Sequence, residues 1–129
     1  MNKTILLIED NEQNCYLSTF LLERNGYVVV AAFDGASGIE VANAILPFAI
    51  VLDIQLPQID GYEVARALRR SPLQQSTPII AVTSYAMSGD REKALAAGCN
   101  GYIEKPINPE TFVSEIEVFL PSSKPGESR

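Results

Sequence analysis

Four of the apolar segments in this sequence end in polar residues, and the side chains of these residues could act together in one chemical site. They are Glu9 and Asp10, Asp53, Thr83 and Ser84, and Lys105, which precedes Pro106. Carboxylates supply hard oxygen ligands and a nucleophile, hydroxyls donate hydrogen bonds, and a lysine adds positive charge. Such a set suits a divalent cation beside a dianionic tetrahedral group, provided that the fold brings the four positions together.

Electrostatics favours a cation among these acids. Two carboxylates about 4 Å apart repel each other by roughly 4 kcal/mol at an effective dielectric constant of 20. Three of them at one place, Glu9, Asp10 and Asp53, therefore require compensation, and oxygen ligands favour Mg²⁺, with Mn²⁺ as a substitute. Lys105 could steady an incoming phosphoryl group and Thr83 could donate to one of its oxygens. A carboxylate would then serve as the nucleophile.

The elements that must position these residues can be predicted from the apolar pattern. Five segments read as strands, and the first four are nearly continuous apolar runs, which predicts burial on both faces. The predicted strands are 4–9, 28–33, 48–53, 78–83 and 100–105. Helical spacing lies between and after them, at 13–25, 36–46, 61–70, 88–97 and 109–120. The last helix is expected to begin with Asn108 as N-cap and Pro109 at the first helical position.

Strands that alternate with helices predict an α/β fold, a doubly wound parallel sheet with helices on both faces. In such sheets, ligands bind outside the carboxyl ends of the strands. Strands one, three, four and five end on the polar residues named above, whereas strand two ends in an ordinary turn at Asp34-Gly35. We therefore expect the four strand ends to converge on one edge.

Each of these residues also has a purely structural explanation. Asp10 could cap the following helix, Asp53 could be a turn residue, and Thr83 with Ser84 could be another N-cap. Lys105 could be a solvated lysine at a strand end. These explanations would all have to hold together at one edge of one sheet, so we favour a shared site.

The composition excludes several classes of function. Acidic residues outnumber basic ones, 16 to 10, and the net charge of −6 argues against binding to nucleic acids or anionic membranes. No apolar run approaches the roughly 18 residues of a membrane span, and no signal peptide opens the chain, so a cytoplasmic protein is expected.

The chain contains no histidine, which excludes histidine-based triads, most zinc sites and a phosphohistidine on this chain. Its two cysteines, Cys15 and Cys99, have no metal-binding spacing and are expected to be free thiols.

Four motifs, taken in order, resemble the receiver domains of two-component response regulators over residues 3–120. They are IEDN (8–11), VLDIQLPQIDG (51–61), AVTSYA (81–86) and GYIEKPI (101–107). The resemblance implies a flavodoxin-like sheet of five strands in the order 2-1-3-4-5, with five helices. It also implies one receiver domain, residues 1–120, and a flexible tail, 121–129. The initial Met and the short tail favour a stand-alone protein.

By this resemblance, Asp53 accepts a phosphoryl group from a histidine kinase or a histidine phosphotransfer protein. Asp10, Asp53 and the backbone carbonyl of Gln55 would ligate Mg²⁺, and Glu9 would act mainly through water. Lys105 would pair with the carboxylate of Asp53 and then with the phosphate. The Lys105–Pro106 peptide bond is expected to be cis, as only about 5–6% of X-Pro bonds are in folded proteins.

The resemblance also implies a conformational switch. Thr83 would turn inward to the phosphoryl oxygen, and Tyr102 would follow from an exposed to a buried rotamer. Ser84 matches the small residue beside the phosphate, and Gly61 fits a tight loop after the third strand. Without the resemblance, Tyr102 could equally be a half-buried strand aromatic, and Gly61 a simple turn residue.

Two departures from the family pattern bear on the chemistry. Glu9 stands where Asp is frequent, and its longer side chain shifts the carboxylate without removing it, so metal binding should survive. Gln55 and Tyr85 lie at positions that the family varies and flank the path of the hydrolysing water. A bulky Tyr85 is expected to lengthen the phosphorylated lifetime, and an unchanged dephosphorylation rate in Tyr85→Ala would contradict this.

The favoured function is a signalling switch rather than an enzyme. Phosphorylation of Asp53 would change the face formed by helix four, strand five and helix five, including Met87, Tyr102 and Ile107, and the output would be contact with another protein. One alternative is a receiver-like module that works without phosphorylation, although such modules usually lack one or more of the acids. Another is a Mg²⁺-dependent phosphohydrolase, which would want an acid where Gln55 stands.

Overall fold

The structure, a computed structural model, describes residues 3–84 and 89–121, in which five strands alternate with five α-helices. The strands are β1 (Thr4–Ile8), β2 (Val28–Ala32), β3 (Ala49–Asp53), β4 (Ile79–Thr83) and β5 (Gly101–Glu104). The helices are α1 (Glu12–Arg24), α2 (Gly35–Ile45), α3 (Gly61–Arg70), α4 (Asp90–Ala96) and α5 (Phe112–Glu117). A short 3₁₀ turn, Pro72–Gln74, follows α3.

All strand pairs are parallel, and the strand order is β2-β1-β3-β4-β5. This is the predicted flavodoxin-like sheet, so the fold class is confirmed. The chain leaves β1 for β2 at one edge and then returns to β3 on the other side of β1. The order therefore reverses between β1 and β3, and the carboxyl ends of these two strands border the crevice where doubly wound sheets bind ligands.

The core forms two apolar layers because successive side chains of a strand point to opposite faces of the sheet. Leu6, Ile8, Ile50 and Leu52 pack against α2, α3 and α4, whereas Ile5, Leu7 and Val51 pack against α1 and α5. The burial of β1, β3 and β4 on both faces is as predicted. The prediction is wrong for β2, where Val28 is 59% exposed, because β2 lies at the edge of the sheet.

Side-chain caps begin three of the helices. Asn11, Asp34 and Asp60 accept hydrogen bonds from the backbone N–H groups of Asn14, Ser37 and Glu63, at the starts of α1, α2 and α3. The cap of α1 is therefore Asn11 and not Asp10, which leaves the exposed Asp10 carboxylate without that structural role.

The predicted start of the last helix is wrong by three residues. The helix α5 begins at Phe112 after Thr111, and not at Pro109. The Asn108 carbonyl accepts from Thr111 N and Phe112 N, and its side chain accepts from Glu110 N. Asn108 thus closes a turn before the helix, because an Asn side chain can satisfy the backbone of a turn as well as that of a helix.

Three expectations fall at least partly outside the described residues. Tyr85 and Met87 lie there, and so does the predicted tail except for Pro121. Within residues 3–84 and 89–121, no helix is long and apolar enough to cross a membrane.

Candidate functional site

The register of the sheet brings the polar strand ends together step by step. Ile8 pairs with Leu52, so Glu9 follows β1 beside Asp53 at the end of β3. Asp53 pairs with Val82, and the next residue of β4 is Thr83. Thr83 pairs with Glu104, so Lys105 follows β5 beside the end of β4. Four polar residues that lie far apart in the sequence therefore occupy neighbouring positions along one edge.

Three acids gather at this edge. Glu9 and Asp53 are each 3% exposed, whereas Asp10 lies at the solvent-exposed rim. Each of the three offers a carboxylate oxygen, and these oxygens all lie within 4.8 Å of one another. The donor set is entirely carboxylate oxygen, which matches the ligand preference of Mg²⁺ and not that of softer metals. The residues present therefore fit the expected ion.

Lys105 lies between the two buried acids. Its Nζ is 3.0 Å from Glu9 Oε1 and 3.4 Å from Asp53 Oδ2. The peptide bond that follows it, to Pro106, is cis. When all four groups are ionised, three carboxylates face one ammonium, so two negative charges remain uncompensated. A divalent cation would balance them.

The carboxyl group of Asp53 has a pKa close to neutral pH. Burial and, after it, the neighbouring Glu9 carboxylate raise its pKa to about 7, although the ammonium of Lys105 opposes the shift. A hydrogen bond from Gln55 N to Asp53 Oδ1, 2.9 Å long, also favours the ionised form. A buried acid with a strongly shifted pKa beside a specific charge partner is typical of a functional site.

The side chain of Gln55 joins the loop after β3 to the end of β4. Its Nε2 donates to the hydroxyl of Thr83, and its Oε1 accepts from Ser84 N at 2.9 Å. Thr83 itself is 1% exposed. The resemblance implies that Gln55 lies beside a metal and the path of the water, but it does not predict these two side-chain bonds, because they depend on the spacing between β3 and β4.

A close approach of the backbone shapes the loop between β3 and α3. Gly61 N donates to Ile54 O at 2.9 Å, which folds the loop back onto the residue after Asp53. A Cβ at position 61 would lie 2.5 Å from Ile54 Cα and 2.8 Å from Asp53 O, so only glycine fits without a shift of the backbone. The tight loop expected after β3 is therefore present, and Gly61 closes it.

Tyr102 is buried in this structure, at 9% exposure. The guanidinium of Arg91, in the first turn of α4, lies 5.5 Å from the centre of its ring. Tyr62, on α3, donates to Asp90 Oδ1 at 3.4 Å, and burial raises the pKa of this tyrosine to about 12. Arg91 was not singled out from the sequence, because no local pattern relates it to a residue on β5.

A small cavity lies behind the acids. Glu9, Asp53 and Lys105 line it together with Asn14 and Ser18 of α1, and its volume is about 20 Å³. Apolar side chains from the sheet and from the segment after β5 complete the wall, namely Leu7, Val51, Val82 and Ile107. A cavity of this size is large enough for one water.

The two cysteines are free, as expected; both are also buried, and neither takes part in the site. Burial raises the pKa of Cys15 and raises that of Cys99 to about 11, so both thiols remain protonated near neutral pH.

Comparison with known proteins agrees with this geometry. A family model described as the response regulator receiver domain matches residues 5–117. The polar-differentiation response regulator DivK of Brucella ovis is 38% identical over 120 residues, which cover 93% of this chain and 98% of that protein.

Solved structures superpose along most of the chain. The chemotaxis protein CheY4 of Vibrio cholerae matches with a TM-score of 0.88 and 26% identity, covering 93% of this chain and all of that one. The receiver domain of a Pseudomonas aeruginosa sensor histidine kinase, with a magnesium ion coordinated in its active-site cleft, matches with a TM-score of 0.84 and 34% identity. It covers 92% of this chain and 98% of that one.

Proposed function

Because the chain belongs to the response regulator receiver domain family, we propose that it is a signalling switch controlled by phosphorylation of Asp53. The observation that carries the proposal is the buried Asp53 carboxylate, which lies between Lys105 and two further acids at the switch point of the sheet. The domain would span residues 1–120.

The proposed reaction is transfer of a phosphoryl group from a phosphohistidine of a histidine kinase or histidine phosphotransfer protein. A carboxylate oxygen of Asp53 forms the new P–O bond, the P–N bond breaks, and the leaving imidazole nitrogen keeps the electron pair and takes up a proton. Gln55 N holds Asp53 Oδ1 and thereby orients the carboxylate for attack. Lys105 offsets the negative charge of the phosphoryl oxygens, and the Thr83 hydroxyl donates to one of them.

Mg²⁺ fits the proposed reaction. Asp10, Asp53 and the backbone carbonyl of Gln55 would hold the ion, Glu9 would act through water, and Mn²⁺ would be a substitute. When bound, the ion supplies positive charge beside the phosphoryl oxygens. An indirect role for Glu9 is supported by the shorter contact of its carboxylate with Lys105 Nζ, 3.0 Å as against 3.4 Å for Asp53.

We further propose that the output is a contact with another protein through the α4–β5–α5 face, which includes Tyr102 and Ile107. The position of Arg91 over the Tyr102 ring supports this, because it couples the first turn of α4 to β5. A movement of the Tyr102 ring would therefore change its contact with Arg91 and shift the first turn of α4. Gln55 and Tyr85 are proposed to set the lifetime of the phosphorylated state.

Incubation with a small acyl phosphate, followed by intact-protein mass spectrometry, tests the phosphorylation. We expect the mass of one phosphoryl group to be gained with Mg²⁺ and not with a chelator. Asp53→Asn should gain none, whereas Glu40→Gln, which changes an exposed acid on α2, should behave as the unaltered protein. Lack of any phosphorylated species would instead favour a receiver-like module that works without phosphorylation.

A further inference from the structure

The carboxamide of Gln55 makes a pair of hydrogen bonds to the end of β4. Nε2 donates to the Thr83 hydroxyl, and Oε1 accepts from Ser84 N at 2.9 Å. Its own backbone N–H contacts Asp53 Oδ1 at 2.9 Å. One residue therefore touches the proposed phosphoacceptor and also both residues at the start of the connection to α4.

A phosphoryl group on Asp53 needs hydrogen-bond donors at this place. All of its terminal oxygens are acceptors at neutral pH, and the donors at the end of β4 are the Thr83 hydroxyl and Ser84 N. Gln55 Oε1 already accepts the hydrogen bond from Ser84 N, and a carbonyl oxygen repels a phosphoryl oxygen that approaches the same N–H. The carboxamide oxygen and a phosphoryl oxygen therefore compete for the backbone N–H of Ser84.

We propose that the Gln55 side chain is a latch that keeps the end of β4 in its unphosphorylated position and is displaced when Asp53 carries a phosphoryl group. The inference rests on the proposed phosphorylation of Asp53 and deepens it. The side chain of Gln55 is a positioning group, because its carboxamide contacts Thr83 and Ser84 and not the reacting atoms. Phosphorylation thus requires the loss of the hydrogen bond from Ser84 N to Gln55 Oε1 before Ser84 N can bind a phosphoryl oxygen.

Removal of the latch should strengthen binding of a phosphoryl analogue. In Gln55→Ala the carboxamide no longer accepts from Ser84 N, so the analogue does not have to break that bond. A typical hydrogen bond contributes enough to protein stability to change an equilibrium by about 2- to 13-fold. We therefore expect the affinity for the analogue to rise by at least about 2-fold. Gln55→Glu should weaken binding, because its carboxylate can still accept from Ser84 N and its negative charge repels the analogue.

The experiment titrates beryllofluoride into the protein at saturating Mg²⁺ and follows the backbone amide of Ser84 by NMR. The control is Gln75→Ala, which removes an exposed glutamine after the 3₁₀ turn. We expect a lower midpoint for Gln55→Ala, a higher one for Gln55→Glu, and no change for the control. The Ser84 amide of unliganded Gln55→Ala should also have lost the shift that its hydrogen bond produces.

An equal or weaker affinity in Gln55→Ala would overturn the latch. If Gln55→Ala does not fold, Gln55→Met replaces it, because it has similar length and no carboxamide, and the same outcomes apply. Absence of beryllofluoride binding by the unaltered protein would count against phosphorylation of Asp53 itself. Binding by the unaltered protein with an unchanged midpoint in Gln55→Ala would count against the latch alone.

Discussion

Glu9 and Asp53 place two carboxylates in the interior with Lys105 as their common partner. Removing such groups from water is costly, and a buried ion pair seldom repays that cost in full. The arrangement is therefore poor for stability and suited to a reactive carboxylate. Because burial disfavours the charged form of the carboxyl group, it also raises the pKa of Asp53.

This cost predicts that Asp53→Asn stabilises the metal-free protein at alkaline pH. The folded carboxyl titrates near 7 and an ordinary aspartate near 3.8, so the folded state takes up a proton as the pH falls through this interval. Stability of the unaltered protein should thus rise as the pH is lowered from 7 towards 4, relative to that of the variant. Denaturant unfolding with a chelator should show an advantage for Asp53→Asn on the order of 4 kcal/mol at pH 8.

The advantage should shrink as the pH approaches 4, because an asparagine side chain does not titrate. A variant that is less stable at pH 8, or an advantage that is independent of pH, would contradict the interpretation of Asp53 as a destabilised acid.

Lys105→Met should destabilise the protein, because it leaves the Glu9 and Asp53 carboxylates buried without their cation. Breaking a buried pair typically costs about 3–5 kcal/mol, and this is the loss expected from denaturant unfolding at pH 8. The matched control Lys93→Met changes an exposed lysine on α4 and should have little effect. Equal stability of the two variants would show that Lys105 does not neutralise the acids.

At the scale of elements, the loop between β3 and α3 fixes the carboxylate of Asp53 and the amide of Gln55. Gly61 closes this loop, and an added Cβ would meet backbone atoms of residues 53 and 54. Because the backbone moves less easily than a side chain, a larger residue at position 61 would displace the backbone of residues 53 and 54 and with it the site.

Gly61→Ala is therefore expected to lower both the stability and the rate of phosphorylation by an acyl phosphate. The comparison is Gly35→Ala on α2, whose added Cβ would lie 2.6 Å from a side-chain methyl group of Val64. Because a methyl group can move, Gly35→Ala should retain more of the phosphorylation rate at matched fractions of folded protein. The opposite order of the two rates would refute the role given to the loop.

Arg69 ties together the elements that follow α3. Its guanidinium donates to Gly98 O, Gln74 O and Thr77 O, at 2.6–2.9 Å, and to Asn100 Oδ1 at 2.7 Å. A lysine cannot reproduce this fork of donors.

Arg69→Lys should consequently reduce the free energy of unfolding by about 3 kcal/mol, since hydrogen bonds to charged groups contribute about 1.5–3 kcal/mol each and part of the set is kept. Arg70→Lys, at an exposed position on the same helix, is the control and should change little. Thermal unfolding of the two variants decides the matter, and similar midpoints would exclude Arg69 as a structural hub.

For the molecule as a whole, the sequence predicts the fold well, since apolar runs that alternate with helical segments leave few arrangements open. Asp53 and Lys105 could be placed at one edge because each ends a strand, and strand ends are visible in the pattern. The turn at Asn108 was misread because capping and turn chemistry use the same residues. The contacts of Gln55 and Arg91 are not predictable from local pattern, because they join residues from different elements across distances that only the packed sheet sets.

The central claim is that Asp53 is the group that carries the phosphoryl moiety, and chemical location of the label tests it most directly. After incubation with Mg²⁺ and a small acyl phosphate, hydroxylamine attacks the acyl carbon of an aspartyl phosphate, releases phosphate and leaves a hydroxamate. Peptide mass spectrometry then locates that mark. We predict a hydroxamate at Asp53 alone; a mark at Asp10 or Glu9 instead, or none on a protein that gained phosphate, would contradict the assignment.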